Sequence, residues 1–164
     1  MLRRLVVFSS ALILLATAGA AGAYDEGLAK SYAKLFEPVA GAKAGKALHL
    51  MSTEVFLDRV KTDAPLVTLD IRTPAETAVF TSALPGNLTI PINELFKPAS
   101  LAKIPTDKDV VVLCKSGTRA TAAGTALRHV GFDRVFILKG GFKAISAFLD
   151  AKTANAPVRL PEPT

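Results

Sequence analysis

The chain has 164 residues, a formal charge of +6 and a single cysteine, with no tryptophan and two tyrosines. With so few aromatic residues there is no stacking platform for single-stranded nucleic acid, and the basic residues are spread along the chain rather than gathered into a patch. A lone cysteine excludes an internal disulfide.

The first 23 residues carry Arg3 and Arg4, then the uncharged run Leu5 to Ala18, then small residues ending Ala21-Gly22-Ala23. This is the layout of a secretory signal peptide, and its apolar core is shorter than the roughly 20 residues that a membrane-spanning helix needs. The sequence predicts cleavage after Ala23, a periplasmic or secreted protein, and no membrane attachment once the leader is gone. An uncleaved N-terminal anchor is the alternative. Cleavage leaves 141 residues and a charge of +4, which is one ordinary domain with a mild preference for small anions.

Residues 24–48 form an Ala/Lys-rich extension, read as one helix before Pro38 and then a Gly-rich connector from Gly41 to Gly45. Its lysines suit a solvated face, while Tyr32, Leu35 and Phe36 are expected to pack on the domain. Ser52 is placed as the N-cap of a helix running to about Lys61, with Val55, Phe56 and Val60 on its inner side. Leu66 to Asp70 reads as a buried strand. Thr73-Pro74 then opens a short helix, threonine as N-cap and proline at the first helical position.

Leu88 to Pro91 is a short extended piece, and Asn93 is read as capping a helical turn around Leu95. Val110-Val111-Val112-Leu113 is β-branched, wholly apolar and too short for a helix, which marks a central strand. Thr118 to Val130 is helical and stops at Gly131. A further strand over Arg134 to Leu138, a Gly140-Gly141 turn and a helix over Phe142 to Leu149 complete the domain, residues 49–150. The Pro-rich tail, 151–164, is expected to be disordered. Short strands alternating with helices make this an α/β fold on a parallel sheet.

Cys114 follows Leu113 directly, at the carboxyl end of the central strand, and Lys115-Ser116-Gly117-Thr118-Arg119 leads into the next helix. Open α/β sheets bind ligands at such strand ends. A tight strand-to-helix loop turns backbone N–H groups inward, and the helix N-terminus adds partial positive charge, so the pocket suits an anion. Gly117 gives the loop its freedom. The same field, with Lys115 and Arg119 at the flanks, stabilises a thiolate and makes Cys114 a nucleophile. His129 lies ten residues beyond Arg119 on the same predicted helix, roughly 15 Å along its axis, and is not a general base for Cys114. His49 and His129 both read as structural, which argues against a Cys-His hydrolase.

At these residues the chain is similar to the single-domain rhodaneses, the thiosulfate sulfurtransferase-type family. Leu69-Asp70-Ile71-Arg72-Thr73-Pro74-Ala75-Glu76 resembles the family's first box and Leu84-Pro85-Gly86-Asn87-Leu88-Thr89-Ile90-Pro91 its second. Cys114 to Arg119 resembles its active loop, and Leu138-Lys139-Gly140-Gly141-Phe142 its last motif. The likeness covers about His49 to Leu149. It implies a rhodanese-like α/β domain, with about five mainly parallel strands and helices on both faces.

The resemblance also implies that Cys114 attacks a sulfane-sulfur donor, holds the sulfur as a persulfide and passes it to cyanide or a thiol. Small sulfur-containing anions and thiol acceptors are the partners so implied, with no cofactor, metal or nucleic acid. Ser116, Gly117, Thr118 and Arg119 would hold the persulfide and the donor's anionic group, and Lys115 would assist. Asp70 would support the loop by hydrogen bonding or by pairing with Arg119, and Arg72 would line the entrance. The sequence departs from the family at Ser82-Ala83, where Gly-His is usual, and at Ile145, where tryptophan is usual.

Two other functions remain open. One is a phosphatase or arsenate reductase of the same architecture, which also sets a loop thiolate beside an arginine. Those enzymes have five residues between cysteine and arginine, whereas four separate Cys114 from Arg119. The other is a non-catalytic rhodanese-type binding module, against which the intact Cys, Gly and Arg argue.

Overall fold

A computed structural model of the chain describes residues 24–84 and 86–158; the expected leader lies outside these. Five strands, β1 (Leu50–Met51), β2 (Leu66–Asp70), β3 (Leu88–Thr89), β4 (Asp109–Leu113) and β5 (Val135–Leu138), form one sheet in the order β1-β5-β4-β2-β3. Every pairing is parallel. β4 takes the middle place, as its unbroken apolar run predicts, because a strand covered on both faces can carry no polar side chain at low cost.

Alternation along β4 divides two cores. Val110, Val112 and Cys114 face one side, where Ala120, Ala123 and Leu127 of α6 (Thr118–His129) cover them. Val111 and Leu113 face the other, against Phe56 of α3 (Thr53–Lys61) and Ile145 of α7 (Gly141–Phe148). Val110 to Leu113 are all 0% exposed. Burial of each such side chain is worth about 1.5–3 kcal/mol, so this strand anchors both layers. Ile145 stands where the family usually has tryptophan and fills that second core.

Local signals place the helices as predicted at α3, whose N-cap Ser52 accepts from Val55 N. They do so again at α4 (Pro74–Val79), where Thr73 and Glu76 form a reciprocal capping box. One side chain on α3 departs from expectation. Val55 is 52% exposed, and Leu57 takes the inner position with Phe56 and Val60, since α7 rather than the sheet sets the buried face.

Two other segments differ as well. Residues 92–96 form turns, Asn93 bonds the Glu94 side chain instead of capping, and the helix that follows is α5 (Pro98–Leu101). The extension folds as α1 (Glu26–Phe36), then a 3-10 turn at Gly41–Lys43 and α2 (Ala44–Ala47) where a plain connector was expected. Within it Tyr32 packs on the domain while Phe36 is exposed. The tail opens with α8 (Ala151–Ala154), capped by the Asp150 side chain, which accepts from Thr153 N. Residues 159–164 lie outside the described residues. Among the described residues no helix is long and apolar enough to cross a membrane.

The Cys114 loop as candidate functional site

Cys114 leaves β4 at its carboxyl end and is wholly buried. Three residues on, Gly117 takes φ +88 as the N-cap of α6 and donates its N–H to Cys114 Sγ at 3.2 Å. That bond is the inward-pointing amide expected of a strand-to-helix loop. Its counterpart is on the outside. The Cys114 carbonyl accepts from Phe142 N and the Lys115 carbonyl from Lys143 N, both at 2.9 Å, at the first turn of α7.

The Cys114 and Lys115 carbonyls are thus tied to a second helix and kept from the sulfur, which the Gly117 N–H faces. Gly141 makes this docking geometrically feasible. It has φ +54, and a Cβ there would overlap the Cys114 carbonyl. Lys115, Ser116 and Thr118 are exposed around the loop, and the Ser116 and Thr118 hydroxyls lie 3.5 Å apart.

Arg119, on the first turn of α6, donates from both terminal nitrogens to the two Glu76 carboxylate oxygens at 2.7 Å. Glu76 in turn accepts from Thr73 N at 3.0 Å and Thr73 Oγ1 at 2.9 Å. The Arg119 guanidinium, and then the Thr73 amide, pull the Glu76 carboxyl down to about 2. Glu76 raises Arg119 above the ordinary guanidinium value; burial opposes this, and Cys114 adds a smaller rise. Arg119 thus stands between a fixed carboxylate and the thiol.

Asp70 does not pair with Arg119. Its carboxylate accepts from Arg72 Nε at 2.9 Å, from the second terminal nitrogen of Arg72 at 2.8 Å and from Arg72 N at 3.0 Å. The strand-end turn folds Arg72 back over Asp70 and occupies both of its oxygens. Arg119 finds its partner on α4 instead. Arg72 and Asp70 are 2% and 1% exposed, a buried pair kept tolerable by this bonding.

The Arg72 guanidinium also donates to the Phe80 carbonyl at 3.0 Å and lies 4.1 Å from the ring centroids of both Phe80 and Phe142. Arg72 lines a cavity of 240 Å³ together with Glu76, Val79, Phe80, Lys115 and Phe142; neither Cys114 nor Arg119 lines it. A larger cavity of 720 Å³ lies against Ser116, Gly117 and Thr118 of the loop, between Tyr32 of the extension and Ile137. Neither Lys115, Arg119 nor Glu76 lines it.

Sequence reasoning missed Glu76, Phe80 and Phe142. The Thr73-Pro74-Ala75-Glu76 pattern is a recognisable capping box and would have placed a carboxylate at the N-terminus of α4. No sequence signal says that this terminus faces the first turn of α6. The two histidines are structural, as read: His49 Nδ1 lies 3.0 Å from the Val135 carbonyl, and His129 meets Ser31 Oγ at 2.7 Å and stacks on Tyr32. Among the described residues no cluster of His, Cys, Asp and Glu could hold a metal ion.

Comparison with known proteins bears on the family and the fold. The family described as Rhodanese-like domain matches residues 52–148. A protein named Sulfurtransferase from Allochromatium vinosum is 35% identical over 94 residues, which are 57% of this chain and 84% of that protein. The rhodanese-like domain of an Anabaena sp. protein, solved by NMR, superposes with a TM-score of 0.55 at 21% identity, over 71% of this chain and 89% of that one. A Rhodopseudomonas palustris protein of unknown function, called a possible tyrosine phosphatase, gives a TM-score of 0.55 at 25% identity, over 73% of this chain and 95% of that one. The family match spans more than half of the chain, and the chain belongs to the rhodanese-like domain family.

Proposed function

We propose that this protein is an exported sulfurtransferase that takes sulfane sulfur onto Cys114 as a persulfide and passes it to cyanide or a thiol. Family membership and a sulfurtransferase relative support a sulfurtransferase-type function. The observation that carries the finer reading is the Gly117 amide directed at Cys114 Sγ, in a loop whose carbonyls are tied away from it. A thiolate, and the terminal sulfur of a persulfide, are both anions that such a cradle stabilises at the N-terminus of a twelve-residue helix.

In the first half-reaction the Cys114 thiolate attacks the outer sulfur of thiosulfate. A sulfur–sulfur bond forms to Cys114, the bond to the sulfonate sulfur breaks, and sulfite leaves with the bonding pair. No base is needed for that step, in keeping with the absence of histidine from the loop's surroundings among the described residues. Arg119 and Lys115 stabilise the anionic groups that gather there. In the second half-reaction cyanide or a thiolate attacks the outer sulfur of the persulfide and returns Cys114 to the thiolate.

Incubation with thiosulfate should add the mass of one sulfur atom to the intact protein, and cyanide should then remove it as thiocyanate. Cys114→Ser should show neither change. If wild-type protein with a verified free thiol gains no sulfur from thiosulfate or from a polysulfide, the reading is overturned. The phosphatase reading has the likeness to the Rhodopseudomonas palustris protein in its favour. Against it stands a ring with four residues between Cys114 and Arg119, better sized for one sulfur atom than for a tetrahedral oxyanion. Hydrolysis of an aryl phosphate by the same sample would reverse that order.

A further inference from the structure

The 720 Å³ cavity beside α6 is built in part by the extension, residues 24–48, which lies outside the span matched to the family. Leu50 and Ile137, cross-strand neighbours on β1 and β5, line it from the sheet, and α6 lines it from Thr118 to Ala126. The extension adds Leu48 and Tyr32. Tyr32 is held there by its own contacts. Its ring stacks on His129 with centroids 3.9 Å apart, and Oγ of the adjacent Ser31 lies 2.7 Å from His129 Nε2. Ser31 Oγ donates its one proton to the Leu28 carbonyl, so the ring nitrogen is the donor in that second bond.

The two ends of the cavity differ in chemistry. Thr118 and Ala126 are eight residues apart on α6, roughly 12 Å along its axis. At the Thr118 end the loop meets the end of β5, where a Cβ on Gly117 would lie 2.9 Å from Gly140 N. Lys139 and the Ser116 and Thr118 hydroxyls line the cavity here. Lys139 is exposed and forms no ion pair among the described residues. Away from this end the lining is hydrocarbon: Leu50, Ile137, Ala126 and the Tyr32 ring. An anionic head would gain a charge-assisted bond at Lys139, and an apolar chain behind it would leave water against the rest.

We infer that this cavity is a binding site for a medium-chain carboxylate, with its head at Lys139, Ser116 and Thr118 and its tail along Leu50 and Ile137 toward Tyr32. A chain of about ten carbons spans the length available. The site stands apart from sulfur transfer, since neither Cys114 nor Arg119 lines it, and it does not depend on that function. The extension makes the site by bringing Tyr32 and Leu48 to it.

Titration calorimetry of the full-length protein with decanoate, butyrate and decylamine tests the assignment. Decanoate should bind at least about tenfold more tightly than butyrate, because its additional methylenes leave water. It should also bind more tightly than decylamine, whose cationic head meets Lys139. Lys139→Gln should weaken decanoate about fivefold. Ala122→Leu places a larger side chain at an exposed lining position, in a residue type that helices accept, and should weaken decanoate about tenfold. Urea midpoints of both variants, and sulfur loading of Cys114 in both, should match the wild type. Butyrate or decylamine binding as tightly as decanoate, or wild-type affinity in either variant, overturns the assignment. A wild-type dimer that decanoate leaves intact and Ala122→Leu dissociates gives the cavity to a second copy of the chain and overturns it too.

Discussion

Gly141 and Gly117 hold the site through backbone alone. Gly141 has φ +54 and approaches the Cys114 carbonyl so closely that any side chain would overlap it, while its neighbour Phe142 donates to that same carbonyl. Gly141→Ala should therefore both strain the left-handed backbone and push α7 off the loop. The expected cost is at least about 2 kcal/mol in a urea titration. Sulfur loading of Cys114 should fall as well, even under conditions where the variant stays folded. A variant with wild-type stability and loading would show that the contact between α7 and the loop is dispensable. Cys114, Gly117 and Arg119 were legible as a candidate site because their types and spacing suggest a chemistry: a nucleophile, a turn and a cation at a strand end. Glu76 was not, since its part depends on a neighbour 43 positions away.

At the scale of elements, α4 and α6 are joined by the Glu76–Arg119 pair, and the pH dependence of that joint follows from its ionisation. Glu76 is held at about 2, below the ordinary carboxylate value of 4.5, mainly by Arg119. A carboxyl depressed in the folded state stabilises it above the unfolded value and loses that contribution as pH falls toward the folded one. Wild-type protein should be more stable than Glu76→Gln by about 1 kcal/mol near neutrality, the upper range for a partly exposed bidentate pair. The gap should close between about pH 4.5 and 2. Denaturant titrations of both proteins at several pH values would measure it, and a gap that stays constant across that window would refute the assignment. Elements with strong local signals, such as β4 with its apolar run and α3 and α4 with their caps, were readable one by one. Which face of α3 points inward was not, because Leu57 is half-buried against a core to which α7, an element more than eighty residues later in the chain, contributes Ile145.

For the whole molecule, α1 of the extension rests on the far end of α6, where Tyr32 stacks on His129 at 3.9 Å. Tyr24 directly follows the expected cleavage point. We propose that the protein recovered from the cell envelope begins at Tyr24; an intact mass that retains Met1 would exclude this. By itself the sequence determined the α/β class, the central strand, the cysteine loop and the family, because period, turn chemistry and motif order are local properties that no packing can conceal. Only the tertiary structure decided that Asp70 serves Arg72 and not Arg119, that Glu76 fixes Arg119, and that Phe80 and Phe142 close on Arg72. Asp70 and Arg72 lie two residues apart on one turn, whereas Arg119 with Glu76 and Arg72 with Phe142 join separate strand ends and helix termini, and a side chain's partner there is set by which termini the parallel sheet gathers at one edge.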